Sequence, residues 1–171
     1  STPGYAGPAI GADGIFYSGD VDFPLQPDVC CFGPSLYAIE PDGTIIWSLF
    51  TGGRIWLSPS LGPDGTIYFG SDDPPVPGQE PDCCFGALYA ATPDGTIRWS
   101  IETESDWRTT PTIGSDGTIY AVDGNLHVIN PDGTIRWTSD TRYYSGIFPA
   151  LSPDGTLYVA RDAGLEALQT N

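Results

Sequence analysis

Two adjacent cysteine pairs, Cys30-Cys31 and Cys83-Cys84, are the first residues of this chain equipped for chemistry. They sit in near-copies of one motif, Pro27-Asp28-Val29-Cys30-Cys31-Phe32-Gly33 and Pro81-Asp82-Cys83-Cys84-Phe85-Gly86. An even cysteine count in a turn-rich chain that reads as exported favours disulfides. Three pairings stand open: a vicinal bond within each pair, a cross-link between the two loops if their Cα atoms come within about 7 Å, or bonds between chains. Matching motifs that each hold both partners favour the vicinal form. A four-thiolate zinc site is the rival, but zinc ordinarily takes Cys-x2-Cys spacing so that two sulfurs reach one tetrahedral ion. Adjacent cysteines do this badly.

The acidic stretches Asp20/Asp22 and Asp72/Asp73 offer the oxygen ligands that suit Ca2+. Placed directly after a strand, they serve equally as turn formers. No cofactor is therefore expected, with Ca2+ the one ion that has candidate ligands. The single histidine, His127, alternates with Leu126 and Val128 along a strand, the setting of a structural histidine. No Ser-His-Asp order, His-Glu-x-x-His or phosphate-binding loop appears, so the chain reads as non-catalytic. Arginine beside an aromatic recurs three times, as Arg54-Ile55-Trp56, Asp106-Trp107-Arg108 and Arg142-Tyr143-Tyr144. Such groups suit stacking and hydrogen bonding to a glycan or a protein partner. Packing within the fold is their alternative use.

Composition narrows the field. A chain of 171 residues with 40% hydrophobic and 12% aromatic residues buries a real core. Gly (22) and Pro (17) are abundant, pointing to many tight turns between short strands. Six cations, all arginine, against 22 acids give a net charge of −16, which repels nucleic acid and anionic membrane surfaces. No apolar run approaches the roughly 18 residues that span a bilayer. A start at Ser1 without any methionine reads as processed, and the expected location is secreted, extracellular or cell-surface, with the periplasm as a further setting.

The elements that position these residues come from an internal repeat. Asp-Gly occurs at 13–14, 42–43, 64–65, 94–95, 116–117, 132–133 and 154–155, and an eighth copy stands apart at 123–124. Four copies follow a Pro-x-Ile/Leu-Gly type of segment; three precede Thr-Ile-x-Trp, at Trp47, Trp99 and Trp137. Asp-Gly between β-rich runs is a strong hairpin signal, because both turn positions tolerate positive φ. Each unit thus reads as four antiparallel strands, for example Ser58–Leu61 (a), Thr66–Gly70 (b), Leu88–Ala91 (c) and Thr96–Ser100 (d). Successive a–b turns, at 13, 64, 116 and 154, lie 51, 52 and then 38 residues apart. The excess lies in the b–c connections, about Asp20–Ser35 and Asp72–Ala87. One rim carries only tight Asp-Gly turns; the other carries the insertions and the Arg-aromatic groups, where function is expected.

The pattern Ser-Pro-x-Leu-Gly-x-Asp-Gly-Thr-Ile-Tyr, then Leu-Tyr-Ala, then Asp-Gly-Thr-Ile-x-Trp-Ser resembles the PQQ-like repeat. That repeat builds the eight-bladed propellers of quinoprotein dehydrogenases and of the outer-membrane assembly lipoprotein. The resemblance implies an all-β chain of about three and a half blades, at 5–53, 54–106, 107–143 and an incomplete 144–171. It also implies that Trp47, Trp99 and Trp137 dock each blade on the next. A quinone site in that family needs a complete propeller with calcium on its axis. The vicinal disulfide found beside the quinone in some of its enzymes is not carried over, because these cysteines sit in long insertions. A dehydrogenase fragment is the least supported reading.

Unit four has strands a, b and c, ending at Leu165–Leu168, but no Thr-Ile-x-Trp strand. An open sheet edge and apolar face are normally avoided. The expectation is either further propeller blades or a homo-oligomer, a ring or a filament, whose copies complete each other, with the N-terminal stretch as one source of a donated strand. The expected function is an extracellular self-assembling scaffold subunit. A glycan- or protein-binding module on the variable rim is the alternative.

Overall fold

The structure, a computed structural model, describes residues 7–19, 36–51, 55, 57–72, 86–103, 109–143, 148–161 and 164–170, with backbone alone at 72, 140–142 and 161. Among these residues the regular structure is entirely β, arranged as four antiparallel sheets. The first sheet holds β1 (Ala9–Ile10), β2 (Phe16–Gly19), β3 (Leu36–Ile39) and β4 (Ile45–Leu49). The second holds β5 (Ser60–Leu61), β6 (Ile67–Asp72), β7 (Gly86–Ala91) and β8 (Ile97–Thr103). The third holds β9 (Thr112–Ile113), β10 (Ile119–Val122), β11 (Asn125–Ile129) and β12 (Ile135–Arg142). The fourth has three strands, β13 (Ala150–Leu151), β14 (Thr156–Arg161) and β15 (Gly164–Gln169). Within every sheet spatial order follows chain order, as in a propeller blade.

The turns differ from the two-residue hairpin that Asp-Gly suggests. In all seven, the glycine N–H bonds the carbonyl three residues back, as in Gly95 to Thr92, and the N–H of the turn's first residue bonds the carbonyl just past the glycine, as in Thr92 to Thr96. This is a type I turn closed by a single left-handed glycine, Gly95 at φ 87° for example. Proline fits its second position, where φ near −65° is wanted, in five of the seven: Pro41, Pro63, Pro93, Pro131 and Pro153. Aspartate fits the third, because its Oδ1 accepts the N–H two residues on, at 2.9–3.1 Å in every copy. The three c–d hairpins share a further register shift, beside Ile39, Ala91 and Ile129, that the a–b hairpins with the same turn lack.

The b–c hairpin of the second sheet also runs further than its β-rich core suggests. Ser71 pairs with Ala87 and Asp72 with Gly86, so Asp72 belongs to a strand rather than to the loop opening.

The sheets stack face to face through three apolar clusters. Tyr17, Leu36 and Ala38 of the first sheet meet Ile67, Phe69 and Ala91 of the second, with Ile55 from the connection between them. Tyr68, Leu88 and Ala90 meet Ile119, Ala121 and Ile129. Tyr120, Val122 and Leu126 meet Leu157 and Val159, with Tyr143 closing the cluster. Burying each such large side chain contributes about 1.5–3 kcal/mol. Strands β1, β5, β9 and β13 lie side by side at one end of the stack, the inner edge of the arc. There the Ser60 hydroxyl donates to the Pro111 carbonyl and the Thr112 hydroxyl to the Pro149 carbonyl, tying neighbouring sheets.

Candidate functional site

The outer strands carry the most informative side chains. Trp47 Nε1 donates to the Pro93 carbonyl of the next sheet at 2.9 Å, and Trp99 Nε1 donates to the Pro131 carbonyl at 3.0 Å. Each indole lies flat on the left-handed glycine of that turn: a Cβ built on Gly95 or Gly133 would stand 2.9 or 2.8 Å from ring atoms. Behind each indole is a tyrosine of its own sheet, Tyr17 at 6.0 Å from Trp47 and Tyr68 at 5.8 Å from Trp99. A glycine at these turns therefore serves both the backbone angle and the indole's approach.

Trp137 occupies the same position in the third sheet but has a different neighbour. Where the second and third sheets carry Thr92-Pro93 and Asn130-Pro131 ahead of Asp-Gly, the fourth carries Gln169-Thr170. The indole of Trp137 is 46% exposed. It lines a cavity of about 250 Å³ with Val128, Arg136, Leu157, Leu168, Gln169 and Thr170. Beside it, β15 pairs with β14 on one edge, and no described strand pairs with its other edge. A row of backbone N–H and C=O groups next to an apolar groove is chemically a receptor for an extended strand.

On the opposite rim the structure describes only part of the predicted surface. Cys30, Cys31, Cys83, Cys84, Arg54, Trp56, Asp106, Trp107, Arg108, Tyr144, Asp20, Asp22 and Asp73 lie outside the described residues, as do the side chains of Asp72 and Arg142. Tyr143 is described and is 5% exposed. Its hydroxyl donates to Glu166 Oε2 at 2.8 Å and its N–H to the Gly124 carbonyl at 2.6 Å, locking the connection onto the third and fourth sheets. Ile55, within the Arg54-Ile55-Trp56 segment, is likewise buried, against Gly19. Hydroxyls missed in the sequence reading stitch the same rim. Thr109 Oγ1 donates to the Val122 carbonyl at 2.7 Å, and Thr51 bonds Ser71 at 3.0 Å. Thr51, Ser71 and Thr109 give no local signal, since isolated hydroxyls recur throughout the chain.

Among the described residues, the arrangement closest to a catalytic one is Asp123–His127–Thr138. His127 Nε2 lies 2.7 Å from Asp123 Oδ1, and Nδ1 lies 3.1 Å from Thr138 Oγ1. Burial pushes the Asp123 carboxyl up, but the bond and charge of His127, together with backbone N–H bonds, hold the group below its ordinary value. Asp123 Oδ1 also accepts the Asn125 N–H at 3.1 Å, so the cluster closes the short b–c turn of the third sheet.

The turn carboxylates are similarly engaged. Thr N–H bonds hold Asp42 and Asp116 low, and hydroxyl bonds from Thr92, Thr134 and Ser152 do the same for Asp94, Asp132 and Asp154. At Asp64 burial acts upward, yet Thr66 and Arg98 bring the carboxyl below its usual value, Arg98 Nη1 lying 3.0 Å away. Among the described residues no cluster of His, Cys, Asp and Glu has the makings of a metal site.

No family model and no curated relative matches the chain. Solved structures do match. A protein of unknown function from Bacteroides caccae aligns over 96% of this chain and 56% of its own, at 14% identity and a TM-score of 0.62. BamB from Moraxella catarrhalis aligns over 96% of this chain and 46% of its own, at 16% identity and a TM-score of 0.64. The chain spans about half the length of these structures. At such identities the likeness is one of fold: stacked four-stranded antiparallel sheets forming part of a β-propeller.

Proposed function

We propose that this protein is a non-catalytic structural subunit of the cell exterior or envelope, whose copies assemble by completing one another's open fourth sheet. The observation that carries the reading is Trp137 half exposed over an apolar groove beside the edge of β15 that no described strand pairs, whereas Trp47 and Trp99 are docked on the second and third sheets. Burying such an edge removes a liability that folded chains otherwise blunt with charge, proline or a covering segment. Light scattering and sedimentation test the reading. Species at multiples of 18.2 kDa are expected in dilute buffer, and a stable monomer would remove it.

A further inference from the structure

The three inter-sheet clusters are one interface repeated. On the side of each sheet that faces the next, the same positions recur: Leu36, Leu88 and Leu126 are 0% exposed, and Tyr17, Tyr68 and Tyr120 lie beside them at 1–3%. The fourth sheet places Leu165 and Tyr158 at these positions. Leu165 is 69% exposed, Ala167 beside it is exposed, and Tyr158 is half-buried. This forward side has no described sheet in front of it.

The backward side shows the complementary pattern. Leu61, Ile113 and Leu151 pack into the three clusters, while their first-sheet counterpart, Ile10, is 59% exposed. Phe16 is half-buried where Ile67, Ile119 and Leu157 are fully covered, although Tyr37 on the same side is already buried. The c–d turn of the first sheet agrees. Indoles cover Gly95 and Gly133, but no described atom lies within 4 Å of a Cβ built on Gly43.

We infer that the forward side of the fourth sheet packs on the backward side of the first sheet of a second copy of this chain, head to tail. The inference rests on the assembly reading and adds to edge completion a second contact, between sheet faces. Three internal junctions are the template: the two uncovered surfaces are the two halves of an interface that the chain already builds between its own sheets. Both halves are apolar, so the contact needs no charge pairing in a molecule at −16. Two different patches meet, which makes the contact heterologous; it closes into a ring if the rotation closes and otherwise extends.

Heterologous contact makes a prediction that a symmetric one does not. Leu165→Glu spoils the forward side and leaves the backward side intact; Ile10→Glu does the reverse. Ile135→Glu, exposed on the third sheet and away from both ends, carries the same added charge as a control. By sedimentation velocity, each end variant alone should run as an 18.2 kDa monomer, and the control should assemble like the parent chain. An equimolar mixture of the two end variants should regain a species of twice the monomer mass through its one intact junction. Circular dichroism checks folding, and Leu165→Ser with Ile10→Ser repeat the test should a glutamate disturb it. Assembly of either end variant at the parent level, or a mixture that stays monomeric, overturns the inference. A parent chain that is itself monomeric removes the assembly reading as well; a parent and end variants that all assemble leave that reading and sink only the face contact.

Discussion

At the scale of single residues, one side-chain type meets two environments. Trp99 buries part of its indole against Gly133 and donates to the Pro131 carbonyl, while the sheet next to Trp137 carries Thr170 where the matching proline would stand. Removing Trp99 strips packing and leaves the carbonyl without its donor, so Trp99→Ala should cost about 2–4 kcal/mol, near the lower part of the range for aromatic truncation. Trp137→Ala should cost less than about 1 kcal/mol in the monomer, as expected for a half-exposed side chain. Urea unfolding of the two variants at matched concentration checks this. Equal losses would mean that Trp137 is held as firmly as Trp99.

At the scale of elements, the repeated turn is a type I bend, an aspartate acceptor and one left-handed glycine. Any side chain at that glycine meets the unfavourable backbone region, at about 1–2 kcal/mol. What differs between copies is the neighbour. Gly43 (φ 92°) faces open space among the described residues, whereas a Cβ at Gly133 (φ 88°) would meet the Trp99 ring at 2.8 Å. Gly43→Ala should therefore lose only the backbone penalty, and Gly133→Ala should lose more, by about a further 1–3 kcal/mol from overpacking. Thermal unfolding of the pair separates the two contributions. Similar losses would show that the indole moves aside freely.

At the scale of the molecule, charge and apolar ends act against each other. Two copies that each carry −16 repel at long range, while the surfaces proposed to meet are apolar. Assembly should therefore strengthen as salt rises from about 10 mM to about 150 mM, over which the Debye length falls from about 30 Å to about 8 Å. Sedimentation across that series measures it; weakening with salt would point to contact through opposite charges instead.

Much of this architecture was legible in the chain because it is local. Asp-Gly spacing, β-rich alternation and the absent fourth Thr-Ile-x-Trp strand announce meander sheets of four, four, four and three strands, and the described sheets have that order, with several strand ends shifted. The turn class was misjudged because Asp-Gly alone does not reveal how many residues the hairpin spends; the hydrogen bonds flanking it decide that. The length of the β6–β7 ladder also escaped, since Asp72 and Gly86 are poor strand formers held by their pairing with each other. Tyr143 could serve a ligand or the fold on composition alone; its burial and its contact with Glu166, 23 residues on, are tertiary facts that no local pattern gives. Alternation along a strand tells which residues share a side, and so which of Leu88 and Leu165 correspond. Whether that side is covered depends on the sheet standing opposite, which no local pattern specifies: Leu88 meets one within the described chain and Leu165 does not.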